Sequence, residues 1–260
     1  MKIPLFALLL ALTFSLLAFA QDGDDDSCFA DDPDPVPSAP PAPAPSSSPP
    51  SPPSNGTSTT ISPAAEAALI AALKTIAPAT ALEPCKDAAQ APGQCSSASQ
   101  AAGPILRSFQ KYTIESVAEK AAVVSLMVFE TAEFKYQRNV FPGRPGQGTR
   151  NMQMPDFNKK YATSIEELTP ILTPLSYNIN ATLDALVKNP DYDFGSAAWF
   201  LRNECDEGTQ TALKKSDDGT MDAAWEMYLR KCVNIGIEEG AEIPEERKKY
   251  WIAAKEALKG

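Results

Sequence analysis

The chain has 260 residues, 43% hydrophobic and 22% charged, with 33 acidic against 23 basic side chains, five cysteines and no histidine. Without histidine, Ser-His-Asp and Cys-His nucleophile systems and His-ligated zinc or copper are excluded, so carboxylates must carry most of any chemistry. The net charge of −10 is uneven: seven aspartates lie between Asp22 and Asp34, one base (Lys2) precedes them, and 26 acids face 22 bases elsewhere. That near balance offers no basic face, and no nucleic-acid partner is expected.

Met1-Lys2, an apolar run from Ile3 to Leu12 and the ending Ala18-Phe19-Ala20 have the three parts of a secretory signal, with cleavage before Gln21. Acidic residues follow the run where a stop-transfer anchor would carry Lys or Arg, and no other stretch is apolar enough to span a bilayer. The mature chain is therefore expected to be soluble and secreted, outside the cell or in the cell wall. From residue 21 to 60 the sequence is Asp-rich, then Pro/Ala/Ser-rich, as in Pro40-Pro41-Ala42-Pro43-Ala44-Pro45. It can bury almost nothing and reads as a disordered, semi-rigid spacer, with Ser and Thr suited to O-glycosylation and a sequon at Asn55.

An oxidising destination makes disulfides the default for Cys28, Cys85, Cys95, Cys205 and Cys232. Cys28 lies in the tail, so the favoured pairing is Cys85–Cys95 and Cys205–Cys232, although spacing alone does not settle connectivity. None has C-x-x-C spacing, which argues against zinc or thioredoxin-type sites; no metal or cofactor is expected.

Residues 61–260 read as one all-α or α-dominated domain, near the usual single-domain size. Ser62-Pro63 is an N-cap followed by proline at the first helical position, with a helix continuing to Ile76 before Pro78. A longer helix is predicted from about Thr113 to Arg138, with Val117, Val124, Met127, Val128 and Phe134 on its apolar side. A glycine- and proline-rich loop follows from Asn139 to Asn151. Ser164-x-x-Glu167 reads as a capping box opening a helix through Leu172. Leu183–Val187 lies in another helix, preceded by the sequon at Asn180. Two further helical stretches carry Trp199 and Trp225, and Pro244 starts a last amphipathic helix with Trp251, Ile252 and Leu258.

The stretch Val123 to Phe134 ends its apolar run at Glu130. On a helix, Leu126, Met127 and Phe134 would neighbour that carboxyl and desolvate it, as a proton donor to a glycosidic oxygen requires. Beyond the loop the chain reads Gly148-Thr149-Arg150-Asn151-Met152-Gln153-Met154-Pro155. Glu130-Thr131 with Phe134, and Met152-Gln153 with Pro155, resemble the lysozyme-like superfamily, specifically goose-type lysozymes and lytic transglycosylases. There a helix ends in a Glu-Ser pair before an aromatic, and a Gly-x-x-Gly-Leu-Met-Gln-x-x-Pro segment follows. Here Asn151 stands where that family has small or apolar residues, and Pro155 falls one residue early. Ser176-Tyr177-Asn178 is a faint counterpart of the family's later Ala-Tyr-Asn. The resemblance spans about 30 residues of the 260, in a core of about 113–235.

That resemblance implies a lysozyme-like fold and a secreted hydrolase or transglycosylase acting on N-acetylated polysaccharide such as peptidoglycan or chitin. Glu130 would be its general acid, and Gln153, Asn151 and Tyr136 would line the sugar groove, with Phe141 beside them. Glu133, Asp156, Asp191 and Asp193 are candidates for a second carboxylate, should the reaction need one. Trp199, Phe200 and Trp225 read as core, and Arg138, Arg144 and Arg150 as solvated loop positions. The alternative is a non-catalytic secreted or cell-surface binding protein on a disulfide-stabilised helical scaffold.

Overall fold

The computed structural model describes residues 60–233, 236 and 240–259; the signal segment, Cys28, the sequon at Asn55 and the tail up to residue 59 lie outside the described residues. Among the described residues the protein is all-α, with ten α-helices, short 3-10 turns and isolated bridges in place of strands. Helix α1 (Pro63–Ile76) starts as the sequence predicts: the Ser62 hydroxyl accepts from the Ala65 amide and Pro63 needs no partner for a missing N–H. Cys85–Cys95 then closes a turn-rich loop, and Cys205–Cys232 closes the second predicted bridge.

Helix α2 (Ala98–Lys111) was not anticipated, yet Ser97 and Gln100 form a reciprocal capping box at its start, a signal present in the sequence. A second box, Ser116 with Glu119, opens α3 (Val117–Glu130), whose side chains from Ala118 to Val128 are all buried except Lys120. A helix apolar on every side must sit inside the domain. It does: α3 is flanked by α7 (Pro190–Asn203), α8 (Glu207–Lys215), α9 (Met221–Met227) and α10 (Glu245–Ala257). Helices α1 and α2 pack on each other and meet α10 and α7 respectively. Helices α4 (Pro155–Thr163) and α6 (Ile179–Lys188) form a further layer on α7, joined by 3-10 turns around the short α5 (Thr169–Leu172).

Three elements differ from the sequence reading. The long helix predicted to Arg138 ends at Glu130, because the next residues turn left-handed: Ala132, Glu133 and Phe134 have φ of 50°, 60° and 62°. Ser164 does not open a helix. It closes α4, its hydroxyl donating to the Tyr161 carbonyl, and a 3-10 turn (Glu166–Leu168) follows. In α10, Trp251 is buried and stacks on Trp225 with ring centroids 5.1 Å apart, whereas Ile252 is 53% exposed. The ring stack, the Trp251 Nε1–Asp222 hydrogen bond and Lys255–Asp222 seat this helix.

Candidate functional site

Glu130 is the last residue of α3, where the helix must be stopped abruptly. Thr131 does this with one hydroxyl, which donates to the Met127 carbonyl at 2.6 Å and accepts from the Phe134 amide at 3.0 Å. Left-handed backbone costs about 1–2 kcal/mol per non-glycine residue, so three in succession persist only where the surroundings hold them. Phe134 supplies much of that hold, fully buried and edge-on to Phe194 at 5.2 Å. The turn leaves Glu130 half-buried at the helix end, where free carbonyls disfavour a second negative charge. A cation from the far end of the chain answers it. Arg247 on α10 donates from Nη2 to Glu130 Oε1 at 2.6 Å and lies over the Phe129 ring at 3.9 Å. The hydrocarbon shell expected around this carboxyl is therefore replaced on one side by a guanidinium. The buried Tyr228 hydroxyl, without a hydrogen-bond partner among the described residues, lies close enough to feel both charges: burial, then Glu130, push it up, while Arg247 opposes them.

The loop from 143 to 155 folds back against this helix end. Gly148 bridges Arg138 and Gln153 and has no room for a side chain, since a Cβ there would meet the Gln137 carbonyl at 2.5 Å. Arg150 was expected to be solvated and is instead fully buried. Its guanidinium donates to Asp193 on α7, to the carbonyls of Phe134, Tyr136 and Gln94, and to the Ser96 hydroxyl. One side chain thus ties the turn after α3, the disulfide loop and α7 together beneath the motif segment. Above it the amides form a chain. Thr149 donates to Asn151, Asn151 to Gln153, Gln153 to Asn158, and Asn158 to the Gly146 carbonyl.

Two adjoining cavities open over this framework. One, of about 280 Å³, is lined by Phe129, Glu130, Tyr136, Arg138 and Phe141, and the other, of about 210 Å³, by Glu130, Asn151, Gln153, Phe157, Phe200 and Arg247. Gln147 and Met152 line both. Among the described residues Glu130 is the one acid lining either cavity, and it lines both. Tyr136 also lines a third cavity, of about 330 Å³, beside the Cys85–Cys95 bridge.

No family model and no solved structure matches the chain. It is similar to a bifunctional dioxygenase–epoxy alcohol synthase of Fusarium oxysporum (strain Fo5176), 42% identical over 145 residues. The match covers 54% of this chain and 11% of that protein, so the chain spans a small part of its relative.

The fold brings Glu130, Tyr136, Phe141, Asn151 and Gln153 to one place, across a loop the sequence left unstructured. Gln153 and Asn151 are buried, and their amides are engaged within the chain of hydrogen bonds described above, so they act first as a wall. The alternative carboxylates do not join them. Asp193 is sealed under Arg150, Asp191 pairs with Arg107 on the surface, Asp156 is exposed on the first turn of α4, and Glu133 accepts from the Ala79 amide and the Tyr250 hydroxyl in the third cavity. The Tyr250 hydroxyl is pushed up to about 12 by burial and by Glu133. Trp199, Phe200 and Trp225 are core residues, although the edge of Phe200 reaches the smaller cavity. Arg138 pairs with Asp184, and exposed Arg144 has no carboxylate partner among the described residues. Asn180 is exposed on the first turn of α6, while its sequon partner Thr182 is buried. No group of three His, Cys, Asp or Glu side chains suited to a metal occurs among the described residues, and no helix there is long and apolar enough to cross a membrane.

Arg247, Gln147 and Phe157 are among the lining residues that the sequence analysis does not single out. Arg247 lies 117 residues from its partner, and no local pattern marks it. Gln147 sits in the loop next to the motif and could have been nominated from that position alone.

Proposed function

We propose that this groove cleaves N-acetylated polysaccharide of the peptidoglycan or chitin class, in a lysozyme-like protein secreted to the cell exterior or wall. The observation that carries the reading is the position of Glu130, which among the described residues is the one acid lining two adjoining amide- and aromatic-lined cavities. Amides suit the hydroxyl and acetamido groups of such a sugar, and the Tyr136 and Phe141 rings offer apolar faces to its pyranose rings. Phe141 is 70% exposed and free to receive one.

In the proposed reaction Glu130 gives its proton to the glycosidic oxygen, the C1–O bond breaks, and its electron pair stays on the departing oxygen. Positive charge develops at C1 and the ring oxygen. Among the described residues no second carboxylate lines the cavities, and the charge is met in this reading by the carbonyl oxygen of the substrate's own acetamido group or by water. A water then delivers its hydroxyl to C1 and its proton to the Glu130 carboxylate, which completes hydrolysis; attack by a hydroxyl of the sugar itself gives the transglycosylase product.

The test is Glu130→Gln in the full chain, assayed on chitin oligosaccharides and on peptidoglycan. A folded variant should lose turnover by several orders of magnitude, and unchanged hydrolysis ends the assignment. The Glu130–Arg247 ion pair and the internally engaged amides favour a second reading, a glycan-binding module without turnover. That reading predicts saturable binding of the same oligosaccharides by both forms and cleavage by neither.

A further inference from the structure

The C-terminal helix contributes one side chain to the groove. Arg247 lines the smaller cavity, holds one oxygen of Glu130 at 2.6 Å, and lies over the Phe129 ring with its guanidinium carbon 3.9 Å from the centroid. Both side chains are largely shielded, with 15% and 23% of their area exposed. Among the described residues the second carboxylate oxygen, Oε2, has no donor, and the guanidinium's remaining N–H groups have no acceptor.

We propose that Arg247 is the positioning residue of this site: it fixes the rotamer of Glu130 through Oε1 and leaves Oε2 to carry the transferred proton. This rests on the glycosidase reading above. As the Oε2–H bond breaks and the proton passes to the leaving oxygen, full negative charge appears on a carboxylate already in contact with a guanidinium. Because Arg247 meets Glu130 and not the substrate, its hold on the orientation of the carboxyl acts on the chemical step and is expected in kcat rather than KM. Tyr228, whose buried hydroxyl lies near the pair, is a phenol and supplies no counter-charge. Arg247 can do this without holding the helix in place, because α10 is seated by the Trp225–Trp251 stack and by Asp222.

The experiment compares Arg247→Met and Arg247→Lys with the wild type and with Glu130→Gln, using chitin oligosaccharides and the full chain, with thermal melting to confirm folding. The expected result for Arg247→Met is a kcat about 100-fold lower with KM changed by less than about threefold. Lysine should restore roughly a tenth of the loss-free rate, since it returns the charge without the planar fork. Added guanidinium ion should raise the rate of Arg247→Met and leave Glu130→Gln unaffected. Wild-type kcat in folded Arg247→Met, or a change confined to KM, overturns the role of Arg247 while leaving that of Glu130 intact. Full activity in Glu130→Gln, or none in the wild type, overturns the glycosidase reading and this role with it. Should Arg247→Met fail to fold, Arg247→Lys decides: wild-type kcat in it excludes a role for the guanidinium fork, and a selective fall in kcat supports one.

Discussion

Arg150 and Asp193 meet at 2.7 Å with 0% and 1% of their side-chain area exposed, directly beneath the wall of the groove. Arg150 also lies over the Phe194 ring at 4.7 Å. The pair unites α7 with the turn that ends α3, so the placement of Tyr136 in the groove depends on a contact that no ligand would touch.

Arg150→Met should cost about 3–5 kcal/mol, the usual penalty for leaving one member of a buried pair without its partner. Urea unfolding of the folded variant measures it. A loss below about 1 kcal/mol would show that the guanidinium's five contacts are dispensable.

Two buried carboxyls predict opposite dependences on pH. Burial pushes Asp193 up to about 6, against the opposing pull of Arg150, and among the described residues one of its oxygens has no hydrogen-bond partner. Its folded value lies above its unfolded one, so its stability contribution is complete below the ordinary aspartate range and is lost as pH rises through about 6. Glu119 is also buried, which by itself would raise it. Hydrogen bonds from Arg202 and from the Ser116 and Glu115 amides overcome that and bring it below its ordinary value. Its contribution is present above the ordinary glutamate range and lost as pH falls through the lowered value. Melting temperatures should therefore show the wild type gaining on Asp193→Asn between about pH 7 and 4, by about 2–3 kcal/mol, and losing ground to Glu119→Gln below about pH 4. Slopes of the opposite sign would refute either assignment.

Gly148→Ala should destabilise by about 1–3 kcal/mol, because the added methyl meets a backbone carbonyl and Leu183 rather than a yielding side-chain tip. The backbone φ there is not in the left-handed region, so the penalty is one of space. Chemical denaturation measures the loss, and 1H–15N spectra should localise the disturbance to residues 137–138 and 148–153. A neutral substitution would mean that the bridge between Arg138 and Gln153 is loose.

Local chemistry made several elements legible. Ser62-Pro63, the break before Pro78 and the helix beginning after Pro244 all follow from groups within a few residues of one another. The capping boxes at Ser97–Gln100 and Ser116–Glu119 are equally local. The Ser-x-x-Glu spacing at Ser164 opens no helix because an N-cap residue must leave the helical backbone region, and Ser164, capping the end of α4, keeps φ −79° and ψ −3°. The end of α3 was placed too late because propensity favours continuing through Ala132 and Phe134. A threonine hydroxyl and the burial of Phe134 against Phe194 outweigh that preference.

The resemblance to lysozyme-like segments singles out Glu130 as the acid to test; from its residues alone this chain declares an all-α or α-dominated domain, a favoured cystine pairing and the lack of histidine chemistry. These rest on composition, caps and short-range spacing, which act before any distant contact forms. That Glu130 should share a cavity wall with Gln153, face Arg247 rather than hydrocarbon, and stand above a sealed Arg150–Asp193 pair was decided only when the helices packed. A charge can be buried only where its partner is delivered at the same time, and packing supplies such partners from α7 and α10, far along the chain.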